Sequence, residues 1–279
     1  MSLRQFFTSI RGIARNPYVP VHVGVGKHVL WQLRKVLNLF PFEQQFSQSR
    51  IIATRHSGVS ALINSQGLYD PNNMRLLREI LDDSERVFFD IGANIGSYTL
   101  LASEQPARIF AFEPHPVTFQ LLEKNVKRNG RSNVKLYRLA LGSENRDSFL
   151  TDYRENCINR IVKSSEKYSI KICCMRGDSL IRDTGVIPEI VKIDTEGHEH
   201  EVLNGMGDYL VQVDLLFVEI TKHRDAVLEI LLENGLRGPY SLAFSRKVFF
   251  PASGEPQEDE VFLSDREICR LSKKGYRFQ

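Results

Sequence analysis

The order of apolar runs in this 279-residue chain predicts an α/β fold: a doubly wound, mostly parallel sheet. Three observations carry that reading. Short apolar runs alternate with segments of helical period from about residue 70 onward. Two successive runs, Val87–Asp90 and Arg108–Glu113, each end in an acid, roughly 20 residues apart. Between them a turn built from Gly92, Ala93, Asn94 and Gly96 leads into a helical pattern, the signature of a buried strand, a tight loop and a helix start.

Along the chain, residues 1–15 fit a short amphipathic helix broken by Asn16-Pro17 and Val19-Pro20. Val29, Leu30, Leu33, Val36, Leu37 and Phe40 recur at helical spacing up to Pro41, which predicts a helix that caps the main domain, with Trp31 at the contact. Residues 50–64 alternate weakly and suggest a short hairpin. Asp70 or Asn72 is placed to cap a helix through Met74, Leu77, Ile80 and Leu81. After Glu113, Pro114 and Pro116 open a helix that stops at Asn129-Gly130. Val134–Leu141 reads as the third strand, closed by Gly142. Residues 146–176 read as antiparallel strands inserted at the sheet edge, and Gly177-Asp178 opens a short helix. Ile190–Asp194 is the fourth strand and Val213–Ile220 the fifth, with helices after each. Residues 239–250 and 259–263 are expected to pair as closing antiparallel strands. This divides the chain into an N-terminal extension over 1–69 and one domain over 70–279.

Composition is that of an ordinary globular chain, with 42% hydrophobic and 25% charged residues. The net charge of +3 is too mild to imply nucleic-acid binding over the whole surface. Its distribution is uneven. Residues 1–50 carry seven basic residues against Glu43 alone, a charge of +6 that leaves −3 for the rest. Such an arm suits peripheral contact with a membrane or an anionic partner, or a solvated basic helix. The four cysteines, Cys157, Cys173, Cys174 and Cys269, form no C-x-x-C pair, which fits a reducing, cytoplasmic setting without a disulfide or zinc framework. No apolar run is long enough for a transmembrane helix. The Arg-bearing, acid-free start is also compatible with an organellar transit peptide.

The glycine turn admits two nucleotide-type ligands. A dinucleotide needs G-x-G-x-x-G, so that pyrophosphate rests on the helix N-terminus. Here the third glycine of that pattern is missing, and Asp90 directly before the loop would repel a pyrophosphate. The acid suits a ligand bearing an ammonium and a sulfonium, such as S-adenosylmethionine. Glu113 is spaced to accept both hydroxyls of a ribose. A strand–turn–helix joint with no ligand is the plainer alternative.

Four ordered motifs, DIGANIGSYT (90–99), AFEPHP (111–116), NVKLYRLALG (133–142) and KIDTEGHEHEVLNG (192–205), resemble the FkbM-type methyltransferases. The resemblance covers about residues 70–265 and leaves the first forty to fifty outside it. It implies the class I Rossmann-like fold: a mostly parallel seven-stranded sheet, with the inserted β-hairpin and the N-terminal helical extension added here. It also implies S-adenosylmethionine as cofactor, with Asp90, Gly92, Asn94 and Gly96 at the methionine end, Glu113 at the ribose, and the Ala140–Leu141 turn near adenine. Tyr98 and Thr99 match the motif, but helix packing explains them equally well. The implied reaction is methylation of a hydroxyl, on a sugar of a polysaccharide, glycolipid or glycosylated metabolite. Thr195 stands where many relatives have Val, and any role for Asp178 rests on a weaker match.

Methyl transfer to oxygen needs a donor and acceptor held in line and a base for the hydroxyl proton. The fourth strand's end, Asp194-Thr195-Glu196-Gly197-His198-Glu199, supplies the candidates Asp194, Glu196 and His198. Glu199 reads as favourable charge at a helix N-terminus. Asp194, Glu196, His198 and Glu219 could converge on a divalent ion, but no H-x-x-x-H pair supports one, so no metal is assigned. The competing classes are a catalytically inactive Rossmann-like binding module, which intact Asp90, Glu113 and Asp194 argue against, and a nicotinamide-dependent oxidoreductase.

Overall fold

In the computed structural model, residues 13, 14, 16–82, 85–152, 159–162, 164, 167–253 and 259–279 are described. The helix expected over 1–15 and Cys157 lie outside them, apart from the helical Ile13 and Ala14.

The first described helix, α1 (Val21–Val36), starts behind Pro20, earlier than the apolar spacing suggested. It buries Gly24, His28 and Trp31, and the Trp31 ring meets Phe40 and Phe42 edge-on. Leu30, Leu33 and Val36 stay exposed. The hairpin lies before the expected place: β1 (Phe42–Phe46) pairs antiparallel with β2 (Ser49–Ala53). The remainder of 50–64 is instead helix α2 (Gly58–Gln66), because the Ser57 side chain caps it by accepting from the Ser60 N–H. In α3 (Pro71–Leu81) the cap is Asp70, with Pro71 at the first turn.

The main sheet has nine strands among the described residues, two more than expected. Its parallel centre runs β11 (Leu215–Glu219), β10 (Ile190–Ile193), β3 (Val87–Ile91), β4 (Arg108–Phe112), β5 (Val134–Tyr137). The extra width comes from the C-terminal side. There β14 (Asp259–Ser264), β12 (Leu236–Ala243) and β13 (Val248–Pro251) join antiparallel, and β15 (Arg277–Phe278) extends the edge. The expected third strand splits at Arg138-Leu139, and β6 (Ala140–Gly142) leaves the main sheet. It starts a separate four-stranded sheet with β7 (Arg146–Thr151), β8 (Ile161–Val162) and β9 (Ser169–Arg176), so the insertion is a second small sheet and not an edge hairpin.

Strand parity builds the two faces. Phe88, Ile109, Ala111, Leu215 and Phe217 meet one apolar layer, with α3, α4 (Ser97–Ala102), α5 (Pro116–Arg128) and α9 (Asp265–Lys273). Phe89, Ile91, Phe110, Val191, Ile193 and Val218 meet the other, with α6 (Gly177–Thr184), α7 (Glu199–Met206) and α8 (Arg224–Glu233). Phe46, Ile51, Val59, Ile63 and Leu68 of the extension share the first layer. Buried Asn125 locks the hairpin to the glycine turn: its carbonyl accepts from Ile52 N–H at 2.9 Å, and its amide donates to Ile95 O at 2.8 Å. Among the described residues no helix is long and apolar enough to cross a membrane.

Candidate active site

Four acids stand at or just beyond the carboxyl ends of neighbouring parallel strands: Asp90 on β3, Glu113 after β4, Asp194 after β10 and Glu219 on β11. An open α/β sheet binds its ligands at this edge. Asp90 shares the parity of Phe88, so its carboxylate points at α4 and accepts a short hydrogen bond from Thr99 Oγ1. The motif residue Thr99 therefore has a defined task, holding Asp90. Burial raises Asp90 to about 6, while Thr99 and Lys192 hold it down.

The turn after β3 is shaped by its neighbours. Gly92 has φ +83°, and a Cβ there would sit 1.8 Å from the Asp194 carbonyl oxygen. Gly96, at φ +94°, leaves room for Leu122 Cδ1 and does not line the cleft. Both glycines are thus required by protein packing, before any ligand is considered. Asn94 accepts the left-handed conformation at φ +52°, and its N–H donates to Glu113 Oε2 at 3.0 Å. Glu113 Oε1 accepts from His115 N–H at 2.8 Å. Each oxygen keeps a further lone pair. Burial lifts Glu113 to about 7, against those two backbone donors.

Asp90, Gly92, Asn94, Glu113, Ala140 and Leu141 all line one cleft, which holds about 920 Å³ between its walls counted to the open mouth. Asp194 and Glu196 line it as well. Glu196 is held at φ +55°, a costly conformation for a non-glycine residue, and accepts no hydrogen bond from another described residue. Burial, then the nearby Asp194 and Glu199, raises it to about 7. His198 is not brought in: its ring lies against Gly142, whose added Cβ would be 2.8 Å from Nε2, and it lines neither the cleft nor the groove next to it. Glu199 is buried and ties the turn together, accepting from Thr195 Oγ1 and Gly197 N–H through Oε1 and from Thr221 Oγ1 through Oε2. The hydroxyl of Thr195 is the first of these donors. Asp178 is held to Arg176 and Arg182 at the start of α6 and lies outside the cleft; these partners lower it to about 2.

Sequence reasoning missed the residues that complete the site. Val59 and Tyr69 come from the extension, and Leu150, Asn159 and Ile161 from the small sheet. Asp259 arrives because β14 runs antiparallel to β11 and registers it opposite Glu219. Only the cap signal at Asp70 pointed near this region. Lys192, buried by its strand parity, has Nζ 3.3 Å from Asp194 and 3.2 Å from Asp259 and stacks over the Tyr98 ring. Among the described residues no three His, Cys, Asp or Glu side chains are arranged to hold a metal ion.

The chain spans 61% of the length of a relative from Haloferax volcanii named hexuronic acid methyltransferase AglP, at 37% identity over 52% of its own length. It is 28% identical to "Methyltransferase 1" of Beauveria bassiana, covering 55% of this chain and 72% of that protein. Among solved structures, an rRNA methylase from Streptococcus thermophilus aligns over 68% of this chain and 91% of that one (12% identity, TM-score 0.42). A SAM-dependent methyltransferase from Agrobacterium tumefaciens aligns over 70% and 58% (11% identity, TM-score 0.44). The family profile described as the methyltransferase FkbM domain matches residues 90–242, more than half of the chain and the whole span from Asp90 through the small sheet to β12, and the protein therefore belongs to the FkbM methyltransferase family.

Proposed function

We propose that the protein is an S-adenosylmethionine-dependent O-methyltransferase acting on a sugar hydroxyl. One observation carries this reading. The cleft gathers Asp90, Glu113, Asp194 and Glu196 around a single buried cation, Lys192, and burial holds all four acids above the usual carboxylate range. A ligand bearing an ammonium and a sulfonium supplies the missing positive charge; a pyrophosphate would add to the excess. The residues fit such a donor. Asp90 and the Gly92–Asn94 turn would hold its amino-acid end, Glu113 its ribose through the spare lone pairs, and Ala140 and Leu141 its base. When bound, the donor supplies an electrophilic methyl group whose leaving group is a neutral thioether.

The chain's own work is then positioning and proton removal. Glu196 lines both the cleft and the adjoining groove, and its pKa of about 7 suits a base for a hydroxyl. Asp194, paired with Lys192, fixes the floor beside it. The sugar acceptor is supported by the Haloferax relative's name. Equilibrium binding of tritiated S-adenosylmethionine to the purified protein, with NAD as competitor, tests the reading: saturable binding that NAD does not displace is expected, and displacement by NAD would overturn it.

The N-terminal arm supports contact with an anionic membrane surface. Leu30, Leu33 and Val36 are exposed on α1 beside Lys27, Arg34 and Lys35, and residues 1–42 hold no acid. Co-sedimentation with phosphatidylserine vesicles but not phosphatidylcholine vesicles is the expected result, and equal recovery with both would remove the reading.

A further inference from the structure

A groove opens beside the cleft and shares Val59, Tyr69 and Glu196 with it, so a molecule lying in the groove reaches the place where the methyl group would be presented. Its walls carry Asp70, Glu196, Glu219 and Asp259, and among the described residues no lysine or arginine lines it. The nearest buried cation, Lys192, is already committed to Asp194 and Asp259. Lys222 packs against Gly197, next to Glu196, and does not line the groove. Asp70 and Asp259 are used inside the protein: Asp70 caps α3, and Tyr98 Oη stands 2.9 Å from Asp70 and 3.3 Å from Asp259. Glu219 is different. It is 8% exposed, faces the groove, and receives no hydrogen bond from any other described residue. Its carboxylate opens on the groove, so the donors it lacks within the protein come from water or from a ligand that displaces it. Phe250, 39% exposed on the same wall, offers an apolar face to the ring of a sugar.

Resting on the methyltransferase reading above, we propose that this groove is the acceptor site and takes a neutral or amino-bearing sugar unit, with Glu219 receiving its hydroxyl or ammonium donors, and that it rejects a sugar bearing a carboxylate. The acceptor class thereby departs from the hexuronic acid in the Haloferax relative's name. A uronate would bring its charge against Glu196 and Glu219, with no lysine or arginine among the described lining residues to meet it. Burial already lifts Glu219 to about 8, the response of a group short of positive neighbours.

The test uses the full chain saturated with S-adenosylhomocysteine and matched p-nitrophenyl glycosides. In the gluco and galacto series, the neutral hexoside, the 2-amino hexoside and the hexuronide are compared by saturation-transfer NMR on that complex, and by methylation with tritiated donor in separate samples free of S-adenosylhomocysteine. Neutral or amino glycosides should bind at least about tenfold better than the uronide. Glu219→Gln should weaken the amino glycoside about tenfold, and Glu219→Lys should shift preference toward the uronide, provided each variant still binds S-adenosylhomocysteine. Preference for the uronide, no change in Glu219→Gln, or no glycoside binding by a protein that binds S-adenosylhomocysteine would each overturn the proposal. Failure to bind S-adenosylhomocysteine at all would instead strike the methyltransferase reading beneath it.

Discussion

Lys192 Nζ lies 3.2 Å from a carboxylate oxygen of Asp259, and both side chains are buried, at 3% and 6% exposure. The two residues are 67 positions apart and meet because β14 runs antiparallel to β11 and starts at the carboxyl ends of the parallel strands. This pair anchors the acid cluster of the site. Lys192→Met should therefore destabilise the fold by about 3–5 kcal/mol, since it strands buried carboxylates without a counter-charge. Asp259→Asn, which keeps an acceptor near Lys192, should cost clearly less. Urea denaturation followed by circular dichroism measures both, and equal losses would contradict the arrangement.

Glu113 is the residue whose side chain both closes the glycine turn and faces the cleft. Glu113→Gln keeps one acceptor and loses the second backbone partner, so affinity for S-adenosylmethionine should fall about 10- to 100-fold. Asp90→Asn should give a similar loss, because it removes charge opposite a cationic ligand. Isothermal titration calorimetry reads these values, and unchanged affinity in both variants would displace the cofactor from this cleft.

Glu196→Gln should lower kcat by about 10²–10⁴ with little change in cofactor affinity, because a base acts in the transition state. In the native protein the rate should rise with pH through about 7, as Glu196 loses its proton, and level off above. That limb should vanish in the variant. His198→Ala should keep it, since the imidazole lies against Gly142 and away from the cleft. A lost limb in His198→Ala would reassign the base.

Stability should fall as pH rises. The folded protein holds Asp90 near 6, Glu113 and Glu196 near 7 and Glu219 near 8, all above their ordinary values. A raised carboxyl means the folded state binds more protons than the unfolded one. Its stabilisation is present below the unfolded pKa and is lost as pH climbs through the folded value. His28 and His198, both lowered by burial, oppose this. Differential scanning fluorimetry should show Tm falling between about pH 5 and about pH 8, with a shallower fall when S-adenosylmethionine is bound. A Tm that rises over the same range would show that these acids are well compensated in the folded state.

The local sequence determined the parts of this protein whose physics is local. A short apolar run between turn signals favours a buried strand, Asp70 caps the helix that follows it, and Gly92, Asn94 and Gly96 announce a turn with positive φ. Asp90, Glu113, Asp194 and Glu196 were legible for the same reason: an acid just at or after a strand must sit at the sheet's carboxyl edge. Tertiary structure alone decided which of these groups meet. Whether His198 faced the cleft depended on how α7 packs on β6, and the glycine requirement at position 92 came from a carbonyl on another strand. Glu219 and Asp259 became neighbours through antiparallel register, and Val59 and Tyr69 reached the cleft because the extension shares the core. Contacts between residues tens of positions apart are set by packing and strand pairing, and neither leaves a mark on the spacing of nearby residues.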